Sequence, residues 1–173
     1  MSCEILEGIV KGCESNSGGI RQCWVNTMDQ IDIDTFVENG STYEITEGEL
    51  AVGGDPYVEL EFNRNVSSYT EEAAIDLING SSFFNQTITL VFHRRQKEKS
   101  EKIKFLGAGQ QYLTAIVKDT NGLYWFFSDL QLTTVTEGSG VTRADGSKYQ
   151  ITLAGESLNL AMEIAEENVD DLI

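Results

Sequence analysis

Apolar and polar residues alternate with a period of two through most of this chain, and that period predicts strands. From Ile20, one face takes Ile20, Gln22, Trp24 and Asn26, and the other Arg21, Cys23, Val25 and Thr27. After the break at Gly53-Gly54-Asp55-Pro56, residues Tyr57 to Arg64 alternate again, with Val58, Leu60 and Phe62 opposite Glu59, Glu61 and Asn63. That pattern belongs to a half-exposed antiparallel strand. Residues 31–37 fit no single period, and Ser41 to Ile45 predicts a short strand after the Asn39-Gly40 turn.

Residues 69–92 are the strongest pairing signal. Asn79-Gly80 separates the run Ala74–Ile78 from the run Phe83–Phe92, and Asn-Gly between apolar runs predicts a hairpin because both residues tolerate positive φ. Ile88, Leu90 and Phe92 fall on one side, Thr87, Thr89 and Val91 on the other. A short helix over 70–78, with Ala73, Ala74, Leu77 and Ile78 on one face, is the alternative; the turn chemistry favours the hairpin. Gln96 to Leu106 is the helix candidate: Glu98 and Lys102 stand at i,i+4, Ile103 and Leu106 face inward, and Gly107 and Gly109 end it.

Tyr112–Val117 and Leu123–Phe127 flank the turn Asp119-Thr120-Asn121-Gly122. The second run is apolar on both faces, which predicts a central or covered strand. Gln131–Val135 and Tyr149–Ala154 predict two further strands around a glycine loop containing Asp145-Gly146, the latter closed by Gly155-Glu156. About eight strands and one helix predict a mainly β fold: an antiparallel β-sandwich or barrel with one flanking α-helix at residues 96–106. The expected layout is an extended N-terminal arm at 1–19, a core at 20–157 and an acidic C-terminal segment at 158–173 that is also an extended arm.

Composition adds one feature. The 173 residues suit a single domain, but 28 acids against 12 bases leave a formal charge of −16. Ordinary nucleic-acid binders are basic, so a DNA-adhesive role is disfavoured, whereas DNA passing an acidic wall is not. The charge is uneven. Residues 1–63 hold 13 acids and two bases, Lys11 and Arg21. No base follows Lys148, while Glu156, Glu163, Glu166, Glu167, Asp170 and Asp171 do. Half of all bases form one run, Arg94, Arg95, Lys97, Lys99, Lys102 and Lys104. That run is either a solvated helix start or a contact for an acidic neighbour.

No constellation predicts catalysis, a cofactor or a metal. His93 lacks a nucleophile or carboxylate nearby in sequence. Cys3, Cys13 and Cys23 are spaced by ten, unlike zinc ligand pairs. Asp29, Asp32 and Asp34 resemble half of a calcium loop, but counting from Asp32 puts Val37 and Tyr43 where glycine and glutamate are required. The paired carboxylates Glu166-Glu167 and Asp170-Asp171 lie in the tail, the wrong place for a shielded acid-base pair, and no P-loop or dinucleotide fingerprint is present. The start lacks a signal-peptide pattern, no apolar stretch is long enough to span a bilayer, and three cysteines suit free thiols; synthesis in a reducing cytoplasm is expected.

Three segments together carry a family likeness: Ser2-Cys3-Glu4-Ile5 with Gly12–Asn16 and Gly18-Gly19-Ile20; Ile116–Gly122; and the glycine loop with Asp145-Gly146 and Tyr149–Glu156. In this order, over nearly the whole chain, the sequence resembles virion structural proteins of tailed phages of Bacteroidetes-type hosts, and among them the tail tube family. The resemblance implies a β-sandwich with one flanking helix. It implies rings, of six copies, in which a long hairpin from each copy lines a channel while arms and loops reach the next ring. Here residues 69–92 are the lining hairpin, with Asp76, Asn79, Gly80, Asn85, Thr87 and Thr89 toward the lumen. The basic run would meet Glu163, Glu166, Glu167, Asp170 and Asp171, or the first segment, of a neighbour. Partners would be the chain itself and other tail or neck proteins of the virion, with DNA passing unbound and no membrane. The long acidic tail departs from the family and leaves open a non-stacking neck ring. A capsid decoration protein, a β-sandwich binding module and an injected DNA mimic are the competing classes.

Overall fold

The structure, a computed structural model, describes residues 16–36, 38–39, 44–63 and 65–173. The chain order is β1 (Ile20–Thr27), β2 (Ile31–Asp32), β3 (Glu38–Asn39), β4 (Glu44–Ile45), β5 (Glu49–Leu50), β6 (Val58–Glu59), β7 (Ser68–Asp76), β8 (Ser81–His93), α1 (Lys97–Leu106), β9 (Leu113–Asp119), β10 (Tyr124–Gly138), β11 (Lys148–Ser157), β12 (Met162–Ile164) and α2 (Glu166–Asp170). The fold is mainly β and antiparallel, with α1 on one flank.

One strand builds both layers. The first half of β10 pairs with β9 and β12, and its second half pairs with β11. Between them the register shifts from Phe127 to Leu130, and Asp129 adopts φ 55°. An extra residue bends a strand and lets it change sheets. Leu123–Phe127 and Gln131–Val135, which read as two strands, are therefore one. The first layer runs β6-β1-β9-β10 and on through β12 to β4 and β3; the second is β10-β11-β8-β7. The path does not close into a barrel. A parallel pair, β12 with β4, interrupts the antiparallel pattern.

Cys23 and Val25 from β1, Ala115 and Val117 from β9, Phe127 and Leu130 from β10, Ile88 and Leu90 from β8, and Ile151 and Leu153 from β11 fill the space between the layers. Each such side chain contributes roughly 1.5–3 kcal/mol when fully buried. The first layer is buried on its other face too. Trp24, Ile116, Tyr124, Phe126, Met162 and Ile164 are covered by Phe36, Tyr57, Val169 and Leu172. This explains why Leu123–Phe127 is apolar on both faces.

The hairpin is present as read from the sequence, and the helical alternative for 70–78 is excluded by nine paired residues from Ser68↔Thr89 to Asp76↔Ser81. Its turn differs. The loop is four residues, Leu77–Gly80, and of these only Gly80 takes positive φ, at 69°. Asp76 substitutes for the two-residue turn: its Oδ1 accepts the backbone N–H groups of Ile78 (2.8 Å) and Asn79 (3.2 Å).

Two expectations are corrected. The strand read over 57–64 is reduced to Val58–Glu59, because Leu60 N–H still bonds Cys23 O (2.9 Å) but Asn63 N–H has moved to Val91 O (2.7 Å). The chain is crossing between layers there, so Val58 is left 61% exposed. The C-terminal segment is not an extended arm. β12 joins the sheet, and buried Val169 and Leu172 hold α2 against the first layer. Of the expected N-terminal arm, residues 1–15 lie outside the described residues; Ser17 to Gly19 rest on the 119–122 turn, with Ser17 N–H donating to Asn121 Oδ1 at 2.8 Å.

Candidate assembly surface

Two of the residues weighed for chemistry, His93 and Cys23, have defined surroundings. His93 Nδ1 accepts from Asn63 Nδ2 at 2.9 Å, and its carbonyl accepts from Lys99 Nζ at 2.7 Å. Among the described residues, no group of three or more His, Cys, Asp or Glu side chains could hold a metal ion. Cys3 and Cys13 lie outside the described residues. Cys23 is buried in the core, and burial, with Glu59 adding to it, pushes its thiol up from 9.0 to about 12. The sign follows: the folded state keeps a proton that the unfolded thiol loses near 9, so stability is full below that pH and falls as pH rises toward 12. Unfolding free energy measured in urea across pH 9–11 is expected to fall more steeply in wild type than in Cys23→Ala, by about 1.4 kcal/mol per pH unit. Equal slopes would show that Cys23 is open to water.

The surface left is the outer face of the second layer. Its rows cross strands. Ser68, Thr89, Thr152 and Thr134 stand opposite one another in turn, spanning all four strands; Thr70, Thr87 and Ala154 form the next row. Threonine suits a pleated surface through its branched side chain and presents hydroxyls without charge. Toward the hairpin turn follow Glu72, Asn85 and Glu156, then Asp76. Toward the opposite end Lys148 pairs with His93, and Arg94 and Arg95 follow; α1 comes after them and packs on the core side through Ile103 and Leu106. The face therefore runs from an acidic end, through a neutral hydroxyl centre, to a basic end. Asn85, Thr87 and Thr89 are on it, and Asp76, Asn79 and Gly80 are at its acidic tip.

At the basic end, α1 is anchored by Tyr149. The Tyr149 hydroxyl bonds Ser100 Oγ (2.6 Å) and accepts from Gln96 N–H (3.3 Å). Ser147 fixes the approach, its carbonyl accepting from Arg94 N–H at 2.7 Å and its Oγ from Arg95 N–H at 3.2 Å. The Arg95 guanidinium pairs with Glu137 at 2.9 Å, so Arg95 is engaged within its own chain. Among the described residues no carboxylate lies within ion-pair distance of Lys97, Lys99, Lys102 or Lys104.

The expected acidic partners are elsewhere. Glu163 lies in β12, opposite Trp125 and Glu44. Glu166 accepts from the Tyr124 hydroxyl (2.7 Å) and pairs with Lys118 (3.3 Å). These contacts, Tyr124 first, hold its carboxyl below the usual glutamate range. Glu167, Asp170 and Asp171 are exposed on or beside α2, which covers the first layer. No ion pair joins them to α1 among the described residues.

Sequence reasoning missed two apolar features. Leu77 and Ile78 are 90% and 95% exposed in the hairpin turn, next to Ile75 at 67%. At the far end, Val25, Val58, Leu60, Phe105, Leu106 and Leu113 line an open groove of about 360 Å³, with Lys102 on its rim. The run Ala74–Ile78 was visible as apolar, but only the register moves its last two apolar residues out of the strand and into the turn.

No protein-family model matches the chain, and no curated protein matches it. Among solved structures it is similar to the crystal structure of Hcp1 from Salmonella typhimurium, with 10% identity over 86% of this chain and 100% of that one, at a TM-score of 0.35.

Proposed function

We propose that this chain is a structural assembly protein, a phage-type tail tube subunit that forms rings, of six copies, and stacks them into a channel for DNA delivery. The observation that carries the reading is the outer face of the second layer. It is a broad antiparallel surface of hydroxyls, bordered by carboxylates, with a hairpin projecting from it. Such a wall offers passing phosphates few cations to bind. Charges there act on DNA over about 8 Å at physiological salt. Under this reading the chain is non-enzymatic and resides in the virion tail, after synthesis and assembly in the host cytoplasm. Its partners are its own copies and other tail and neck proteins.

The concentration of charge explains why assembly needs polarity. Six copies of a −16 chain bring together 96 negative charges, which repel unless acidic and basic ends alternate. Purified protein is expected to form rings and then tubes as concentration rises, read by sedimentation velocity and negative-stain microscopy. Discrete rings that never stack would indicate a neck adaptor. A monomer at every concentration would reject self-assembly.

A further inference from the structure

We infer that the Leu77-Ile78 tip of one copy seats in the Phe105 groove of a second copy, a head-to-tail contact between identical chains. The inference rests on the self-assembly proposed above and names the surfaces that make it.

The tip is built to present apolar side chains. A hairpin turn open to water ordinarily carries polar residues. Here Leu77 and Ile78 are almost wholly exposed, and the turn beneath them is fixed by the Asp76 carboxylate and by Gly80 at positive φ. The last residue of β8 paired to β11 is Phe84, opposite Ser157. Beyond it β7 and β8 project as a two-stranded ribbon, so the tip stands clear of the body.

The groove is its counterpart in chemistry. It is open and mainly apolar, with Phe105 65% exposed and Val58 61% exposed on its walls. Charge agrees: Asp76 stands at the base of the tip with Glu72 four residues back along β7, and Lys102 rims the groove, with Lys104 exposed on the same helix. Neither Lys102 nor Lys104 has an ion-pair partner among the described residues.

Placement requires a second copy. The tip precedes β8, and α1 follows the opposite end of that strand, so a chain cannot fill its own groove. A knob at one end and a socket at the other make a heterologous contact, which closes into a ring or propagates. Each copy gives one tip and receives one. A contact too small to hold two copies alone becomes effective when repeated around an assembly.

The experiment uses the full-length chain carrying Leu77→Ser and Ile78→Ser, and separately Phe105→Ser. All three positions are exposed, and thermal melts by circular dichroism are expected to match wild type. Removing both tip side chains should raise the concentration for half-maximal assembly about a hundredfold or more. As a second measurement, Leu77→Cys copies are mixed with Phe105→Cys copies, each also carrying Cys3→Ser and Cys13→Ser. Oxidation is expected to give the mixed disulfide dimer. Assembly of the tip variant at wild-type concentrations, or cross-links only between two Leu77→Cys copies, overturns the inference and leaves self-assembly standing. Wild-type protein that stays monomeric overturns both.

Discussion

Gly155→Val is expected to lower unfolding free energy by about 3 kcal/mol or more, seen as a lower urea midpoint. In sequence, Gly155-Glu156 looks like the end of a strand. In the structure β11 continues through it to Ser157, still paired with β8. The glycine is required by its neighbour across the fold. A Cβ at 155 would lie 2.4 Å from the Asp129 carbonyl oxygen and 3.2 Å from Leu130 Cα. Both belong to the bend by which β10 passes from one layer to the other. A side chain there cannot be met by a rotamer change, since the obstacle is backbone; the bend itself must move, and Phe127 and Leu130, both fully buried, move with it. Gly138→Ala is the matched control on the adjoining strand, where the nearest atom to an added Cβ is 4.0 Å away. It is expected to be neutral or to stabilise slightly, by up to about 1 kcal/mol. Equal stabilities for the two variants would contradict the packing of the bend.

Replacing Lys97, Lys99, Lys102 and Lys104 together by glutamine is expected to impair assembly and change its salt response. The four ammonium groups have no carboxylate partner among the described residues, so the isolated subunit loses little: the Lys99 bond to the His93 carbonyl, and within about 0.5 kcal/mol at each exposed site. The net charge becomes −20, and α1, left with Glu98 and Glu101 as its charged residues, no longer offers cations to the Glu72, Asp76 and Glu156 end of a neighbour. At about 0.1 M salt, where screening acts over about 10 Å, the assembly threshold should rise about tenfold or more; at 1 M, where it acts over about 3 Å, wild type and variant should converge. Unaltered thresholds at low salt would rule out α1 as a contact. The structure also changes which acids are candidates. Glu166 is tied to Lys118 and Tyr124 within its own chain, whereas the carboxylates Glu72, Asp76 and Glu156 stand toward the end of the second layer remote from α1.

Features set by neighbours in sequence were legible. β1, the 69–92 hairpin and α1 each carry their own period or turn chemistry, and each was found within a few residues. The hydroxyl face was legible in part, because Thr87 and Thr89 follow from the alternation of β8 once Ile88 and Leu90 are assigned to the core. Thr134 and Thr152 were not assigned to it, since their place beside Thr89 depends on the pairing of distant strands. The Asn79-Gly80 signal located the turn but not its length, because Asp76 supplies the bonds that a tighter turn would have made with its own backbone.

By itself the sequence determined the fold class, the location of the hairpin and helix, the sign and clustering of charge, and the absence of any recognisable catalytic or ligand motif. These follow from local periodicity, propensity and composition. Only the tertiary structure decided that two predicted strands are one bent strand, that the acidic tail is docked by Val169 and Leu172, and that Leu77 and Ile78 are exposed at the end of the β7-β8 hairpin remote from the Phe105 groove. Each of these depends on which of two possible faces meets a distant element. Period two names the faces of a strand but not their partners, and that choice is made by long-range packing around the β10 bend.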